Sequence, residues 1–243
     1  MVEKQKVILF DVETSPILSW VWEMWETNVL SVEKNSEIIA FSYKELGSNK
    51  IYSYSLQDLK PKELALQLHK VFDEADILIA HNGDNFDIKT ANSFFAKYNL
   101  TPPSPYKTID TLKIARNKFK FNSNKLNDLG EYLGLGSKVA TGGFKLWLGC
   151  IKGNNKSWGL MKKYNKQDVV LLEKVYLKLR PWAERLPFNS YGLQCPTCGS
   201  DNIQLRGWNV NTVYKTRRFQ CQDCGHFSHS NIKIRHNDKE YLR

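Results

Sequence analysis

The chain is short of the features that would send it into a membrane or out of the cell. No apolar run approaches the roughly 18 residues that a membrane-spanning helix needs, which argues against an integral α-helical membrane protein. Met1 to Lys6 is polar and charged and leads straight into an apolar run, so it does not read as a signal peptide. Cysteine is scarce, five in 243 residues, and four of the five form two CxxC pairs. Without an export signal, that spacing reads as metal before disulfide, and a cytoplasmic location is expected. Acidic residues are outnumbered too: 25 Asp and Glu face 35 Lys and Arg, giving +10 and pI ≈ 9.3. A basic balance of this size favours a polyanionic partner. Of that +10, the segment from Phe188 onward carries eight Lys/Arg against four Asp/Glu, so the tail is more basic per residue than the body. Internal repeats and low-complexity tracts are absent. What is present, 42% hydrophobic and 25% charged residues, is enough for one sizeable core plus a small extra module.

Lys6 to Asp11 (KVILFD) has the continuous apolar pattern of a buried strand. Ser15 to Ser36, with Trp20, Trp22 and Trp25, reads as an irregular or partly helical excursion. Glu37 to Tyr43 and Lys50 to Ser55 are strand-like, with turn residues between them, and so form a hairpin or meander. Pro61 opens a helix, a favourable first-turn position for proline. Asp76 to His81 is a further buried strand, followed by a helix from about Phe86 to Tyr98. A short strand over Thr108 to Asp110 leads into helices over Thr111 to Asn117 and Lys125 to Leu133. Gly134 to Asn155 reads as glycine-rich loop with a helical turn near Phe144 to Leu148, and Ser157 to Arg180 as a long helix. Pro181 and Pro187 mark a linker. This order predicts an α/β fold, a mixed sheet flanked by helices.

Chemistry concentrates in the acids. Asp11 and Glu13, two apart on an extended chain, point to one face of the strand end. Asp87 follows the second buried strand, and Asp168 lies within the last long helix. Carboxylates that converge repel each other, and divalent cations offset that cost. Hard oxygen ligands suit magnesium or manganese, and two such ions can cleave a phosphodiester.

The strings FDVET, HNGDNFD and YNKQDV resemble the three exonuclease motifs of the DEDD superfamily. Asp11 and Glu13 match its Asp-x-Glu, and Asn82, Phe86 and Asp87 match its Asn-x-x-x-Phe-Asp. Tyr164, four before Asp168, matches the tyrosine form of the third motif. The resemblance covers roughly residues 5 to 182 and is nearest to bacterial and phage stand-alone nucleases, which SNKLNDLGEYLGLG and TGGFKLWLGC also resemble. It implies a ribonuclease H-like fold over residues 1–187 and 3′→5′ hydrolysis of DNA to nucleoside monophosphates. Two Mg2+ or Mn2+ ions would be held by Asp11, Glu13, Asp87 and Asp168, with Tyr164 positioning the attacking water. Asn82 and Phe86 would touch the strand. RNA ends are the alternative substrate, and replication or repair proteins are possible partners. A binding or recruiting protein, or a structure-selective nuclease, is the rival class. The cytoplasm in question would be bacterial, or the host's if the chain is phage-encoded.

Other residues carry weaker signals. Asp84 reads as a turn residue, Asp110 as a helix cap and His81 as structural or substrate-touching. For the three tryptophans core packing is the default, and stacking on a nucleobase is the alternative. Lys113, Arg116, Lys118 and Lys120 near Phe119 and Phe121 fit either a nucleic-acid groove or a solvated helix end.

In the tail, Cys195, Cys198, Cys221 and Cys224 form two knuckles 22 residues apart, enough for a four-thiolate Zn2+ site with a short hairpin between. The segment 188–243 thus resembles a zinc ribbon, and its metal would supply much of its folding free energy. Lys215, Arg217 and Arg218, with Trp208, Tyr214 and Phe219, suit nucleic acid, although a protein-docking ribbon remains an alternative. Cys150 reads as an ordinary thiol near a loop. His226 and His229 are spare donors beside a site that four cysteines already fill.

Overall fold

A computed structural model describes residues 5–25, 27–184, 186–187 and 194–235. It divides into two compact units, residues 1–176 and 177–243. The first contains strands β1 (Val7–Thr14), β2 (Leu18–Trp20), β3 (Ser31–Lys34), β4 (Ile38–Glu45) and β5 (Tyr52–Ser55), then α1 (Pro61–Asp73), β6 (Ile77–Ala80), α2 (Asp87–Lys97) and β7 (Lys107–Asp110). Helices α3 (Thr111–Lys118), α4 (Leu126–Tyr132), α5 (Phe144–Ile151) and α6 (Asn155–Leu179) follow, the last crossing into the second unit.

Five strands form the main sheet in the order β5-β4-β1-β6-β7. β1 is central because its run Val7-Ile-Leu-Phe10 is apolar at every position and is buried on both faces. It pairs antiparallel with β4 on one side and parallel with β6 on the other, and β6 pairs parallel with β7. The C-terminal ends of β1, β6 and β7 therefore share one edge, which carries Asp11 and Glu13, then His81 and Asn82, then Asp110.

Strand alternation assigns the two faces. Ile8, Phe10 and Val12 turn towards α1 and α2, in a cluster with Phe41, Leu64, Leu68, Phe72 and Phe95. Phe10 meets Phe72 edge-to-face at 5.0 Å. Each such fully buried side chain is worth about 1.5–3 kcal/mol. Leu9, Asp11 and Glu13 turn the other way. Over that face Ile39 and Ala40 pack with Leu146 and Cys150 of α5 and Trp158 and Met161 of α6. The fold thus delivers the two acids of β1 to the side on which α6 lies.

Asp110 caps α3 as expected, its Oδ1 accepting from Leu112 N–H at 2.9 Å, and Asp84 lies in a turn. Three readings need correcting. Residues 15–36 hold no helix among those described: β2 and β3 pair as a separate two-stranded antiparallel hairpin. Its tryptophans do not pack in the core, since Trp20, Trp22 and Trp25 are 64%, 86% and 80% exposed. The excursion rises from the ends of two already paired strands, and no layer among the described residues covers it. The single turn expected near Phe144 extends to eight residues in α5, because Leu146 and Cys150, four apart, dock on the core. Cys150 is consequently a buried helical thiol, 2% exposed.

The second unit contains a 3-10 turn over Arg180–Trp182 and a small sheet of β8 (Ile203–Val210), β9 (Tyr214–Cys221), β10 (Phe227–His229) and β11 (Ile234–Arg235). β9 is the shared strand, pairing antiparallel with the other three. The expected start of the cysteine segment at 188–193 lies outside the described residues. No helix among those described is long and apolar enough to cross a membrane.

Candidate active site and metal centre

One carboxylate oxygen from each of Asp11, Glu13 and Asp168 falls within 4.8 Å of the others. Asp168 reaches them from α6. Tyr164 and Asn165 lie four and three positions earlier on that helix, so all three share its inward face. Asp87, at the start of α2, adjoins this cluster rather than joining it: its Oδ1 accepts the N–H of Val12, the residue between the two β1 acids, at 3.2 Å. Asp87 and Asp168 are buried, 3% and 1% exposed.

Such a grouping is electrostatically unfavourable on its own. Burial, with the charge of Asp168 next, pushes the Glu13 carboxyl up to about 8, and Lys138 and the Trp147 side chain pull it the other way. Burial raises Asp87 to about 7 against the N–H it accepts from Val12. Asp11 is held well above the usual carboxylate range by burial, then by Glu13, Asp87 and Asp168. Asp168 is raised by burial, which outweighs Lys138. The Tyr164 hydroxyl is pushed up by burial, then by Asp168 and Glu13, so it stays a proton donor.

Three residues that no sequence motif flagged complete the site. Lys138 Nζ lies 2.5 Å from Asp168 Oδ2 and 3.2 Å from the Tyr164 hydroxyl, and 5.2 Å from the Tyr164 ring centre. Burial opposes its charge, but Asp168 outweighs burial and the ammonium is held firmly protonated. Asn165 donates to Asp11 Oδ2 at 2.6 Å and to the Asp11 carbonyl at 3.2 Å, orienting that carboxylate. Trp147 meets Tyr164 edge-to-face at 6.0 Å. The α6 periodicity around Tyr164 and Asp168 held the signal for Asn165. Lys138 comes from the glycine-rich stretch before α5, where nothing local announces a partner 30 residues away.

A donor set of oxygens, partly unmatched, fits divalent cations. Asp168 Oδ1 is buried with no hydrogen-bond partner, and the one ammonium present does not balance four acids. The geometry is suited to hard cations of the magnesium type.

Beside the carboxylates lies a cleft of about 570 Å3, lined by His81, Asn82, Arg116, Asn124, Lys125 and Lys138, and it shares Lys138 with the cluster. Asn82 adopts φ 67°, and its N–H donates to Asp110 Oδ1 at 2.9 Å. A Cβ on the next residue, Gly83, would stand 2.5 Å from that of Ala80, so this turn requires glycine. Phe86 precedes α2 with 44% of its surface exposed. Neither Asn82 nor Phe86 is part of the acidic cluster, and Lys113, of the basic stretch, is paired with Asp84 at 2.6 Å.

A family model described as the RNase_H superfamily matches residues 25–180. The chain belongs to the RNase H superfamily. The matched segment begins after Asp11 and Glu13. A curated relative, the DNA polymerase III PolC-type of Ureaplasma parvum serovar 3, is 30% identical over 132 residues, covering 49% of this chain and 9% of that protein. Among solved structures, the family B DNA polymerase from the hyperthermophilic archaeon Pyrobaculum calidifontis superposes with a TM-score of 0.52 at 12% identity, over 74% of this chain and 25% of that one. This last likeness concerns the fold alone.

The four paired cysteines lie beyond the matched RNase H segment. All four sulfurs are within 4.8 Å of one another, with Cys195 to Cys224 and Cys198 to Cys221 both at 3.6 Å, and no disulfide joins them. A tetrahedron with arms of ~2.3 Å has edges of roughly 3.8 Å, so the spacing fits one zinc-sized ion. The two knuckles repeat one design: Gly199 N–H donates to the Cys195 carbonyl and Gly225 N–H to that of Cys221, each glycine at positive φ. Burial works against the Cys221 thiolate, but the N–H groups of Cys224 and Asp223 prevail and bring it down to about 7. His226 Nδ1 faces the Pro181 carbonyl at 3.0 Å. On β9, Lys215 and Arg217 lie over the Trp208 ring, at 5.2 and 3.9 Å from its centre, and Arg218 donates to the Arg206 carbonyl at 2.9 Å.

Proposed function

We propose that the chain is a two-metal-ion 3′→5′ exonuclease that shortens DNA to nucleoside monophosphates. It would have a nuclease domain over 1–187 and a zinc ribbon over 188–243 that helps hold the strand. The observation carrying this reading is the convergence of Asp11, Glu13 and Asp168 at one sheet edge, with Asp87 adjoining. Bound there by these four acids, Mg2+ or Mn2+ would supply an activated water and Lewis-acid stabilisation of the leaving oxygen. Asn165 fixes the orientation of Asp11. Tyr164, protonated and next to Asp168, is placed to hold a water by hydrogen bonding. Lys138 is a cation free to exchange its carboxylate partner for a phosphate oxygen, which would neutralise charge as the bond breaks. Directionality rests on the likeness to the tyrosine-type motifs. DNA is favoured over RNA by the relative, whose name is that of a DNA polymerase. In the ribbon, Lys215, Arg217 and Arg218 offer charge to the phosphates, and Cys195, Cys198, Cys221 and Cys224 would hold zinc. Replication or repair proteins are the partners such an activity would serve.

The test is cleavage of 5′-labelled single-stranded DNA and RNA of one sequence in magnesium, with Asp168→Asn as control. A ladder shrinking from the 3′ end, lost in the control, is expected, with DNA the better substrate. Binding without cleavage of either strand would overturn the reading.

A further inference from the structure

We propose that the β2–β3 hairpin is a stacking platform for unpaired bases of the strand entering the carboxylate site. This rests on the nuclease reading above. The hairpin has no core of its own, yet ten large apolar side chains between Ile17 and Val32 are at least 42% exposed, led by Trp22 at 86%, Met24 at 85% and Trp25 at 80%. So many exposed large apolar side chains within one short segment point to an interaction site. A two-stranded hairpin is marginal in water by itself, and this one is held from its root. Ser15 N–H donates to the Glu37 carbonyl at 2.8 Å, and Glu37 N–H returns a bond to Ser15 Oγ at 3.0 Å.

That root decides the occupant. It continues the β1–β4 pair immediately beyond Glu13, which lies opposite Ala40. The five steps along the chain from Glu13 to Leu18 span at most about 18 Å, roughly five nucleotides at ~3.4 Å each. A strand whose 3′ end sits among the carboxylates therefore has its next bases within reach of the hairpin. The charges point to how it would be held. The charged residues described on the hairpin are Glu23, Glu33 and Lys34, so its tip offers no cation to a phosphate. Contact would be made through base faces on indole rings, which every base can supply.

The experiment measures binding of a fluorescein-labelled single-stranded dodecanucleotide to the Asp168→Asn chain by anisotropy, in magnesium, over a range of salt concentrations. Adding Trp22→Ala and Trp25→Ala should raise Kd by about thirtyfold or more without changing the slope of log Kd against log salt, because no phosphate contact is lost. Trp22→Phe with Trp25→Phe should recover most of the affinity. An unchanged Kd would overturn the proposal and leave the patch to a protein partner; a slope that falls with the affinity would overturn it too. Hydrolysis of thymidine 5′-(p-nitrophenyl phosphate) by the unaltered chain tests the nuclease reading separately, so either idea can fail alone.

Discussion

Beneath the carboxylate cluster lie Phe10, Phe41, Leu64 and Phe72, all fully buried, whereas the buried side chains of the described cysteine segment, 194–235, are Cys195, Thr197, Thr216 and Cys221. The first unit has a core large enough to bury several acids together, and that burial is the main cause of the upward shifts of Glu13 and Asp87. There, metal would be needed for chemistry and not for folding. In the second unit the cysteines are themselves the centre of the structure, and an ion between them would take the place of a hydrophobic core. One chain thus carries two candidate metal-binding arrangements with opposite relations between ligand and fold.

The sharpest way to break this comparison is to remove each metal in turn. Cys198→Ser, or a zinc chelator, is expected to unfold the cysteine segment. Structural zinc contributes on the order of 10 kcal/mol to such modules, and amide hydrogen exchange across β8 and β9 would report the loss. Magnesium removal should leave exchange in β1, β4 and β6 protected. Equal loss of protection in both units would sink the distinction.

Next in size is Asp168→Asn. It should lower kcat by about a thousandfold or more, as expected when electrostatic stabilisation is lost at a dry site. The melting temperature should change little, because the isosteric amide relieves repulsion from Asp11 and Glu13 while releasing Lys138. A large fall in stability would mean that the acidic cluster holds the fold after all. Lys138→Met and Asn165→Ala come third. Each is expected to cost about 10- to 100-fold in kcat, as for groups that orient metal ligands. They should differ in metal dependence. Without the Lys138 ammonium beside Asp168, half-maximal activity should need less magnesium; without Asn165 to fix Asp11, it should need more. The same direction of shift in both would contradict the roles assigned to them.

The two regions also differ in how much their sequences disclosed. Two CxxC pairs are self-announcing, because each knuckle is a local turn that brings its two sulfurs together. The acids of FDVET were legible for the same reason: alternation on one strand places Asp11 and Glu13 on one face. Lys138 was not legible. Its partner on α6 is 30 residues away, and only the packing of α5 and α6 over the sheet brings the two together. The tryptophans misled for a related reason. Large aromatics default to a core, but burial depends on whether another layer covers them, and among the described residues none covers this hairpin. Capping by Asp110 was readable because it needs only the next two residues.

The smallest effect concerns His81, on the cleft wall between these extremes. Both ring nitrogens are engaged at 2.8 Å, Nδ1 with the Thr111 hydroxyl and Nε2 with the Asn124 carbonyl. Since a carbonyl can only accept, Nε2 carries a proton. Burial, the dominant influence, lowers the imidazole from its ordinary 6.5; Lys138 and Arg116 push the same way, against the Asn124 carbonyl and Asp110. A base whose folded value is depressed adds stability that is fully present above its unfolded value. That stability is lost as pH falls from about 6.5 through the folded value. The unaltered chain should therefore lose more melting temperature between pH 7.5 and pH 5 than His81→Gln, which has no such proton to take up. Parallel losses in the two proteins would mean that His81 is not held neutral by the cleft, and that the wall on which Asn124 and Lys125 sit is looser than the bonds at His81 imply.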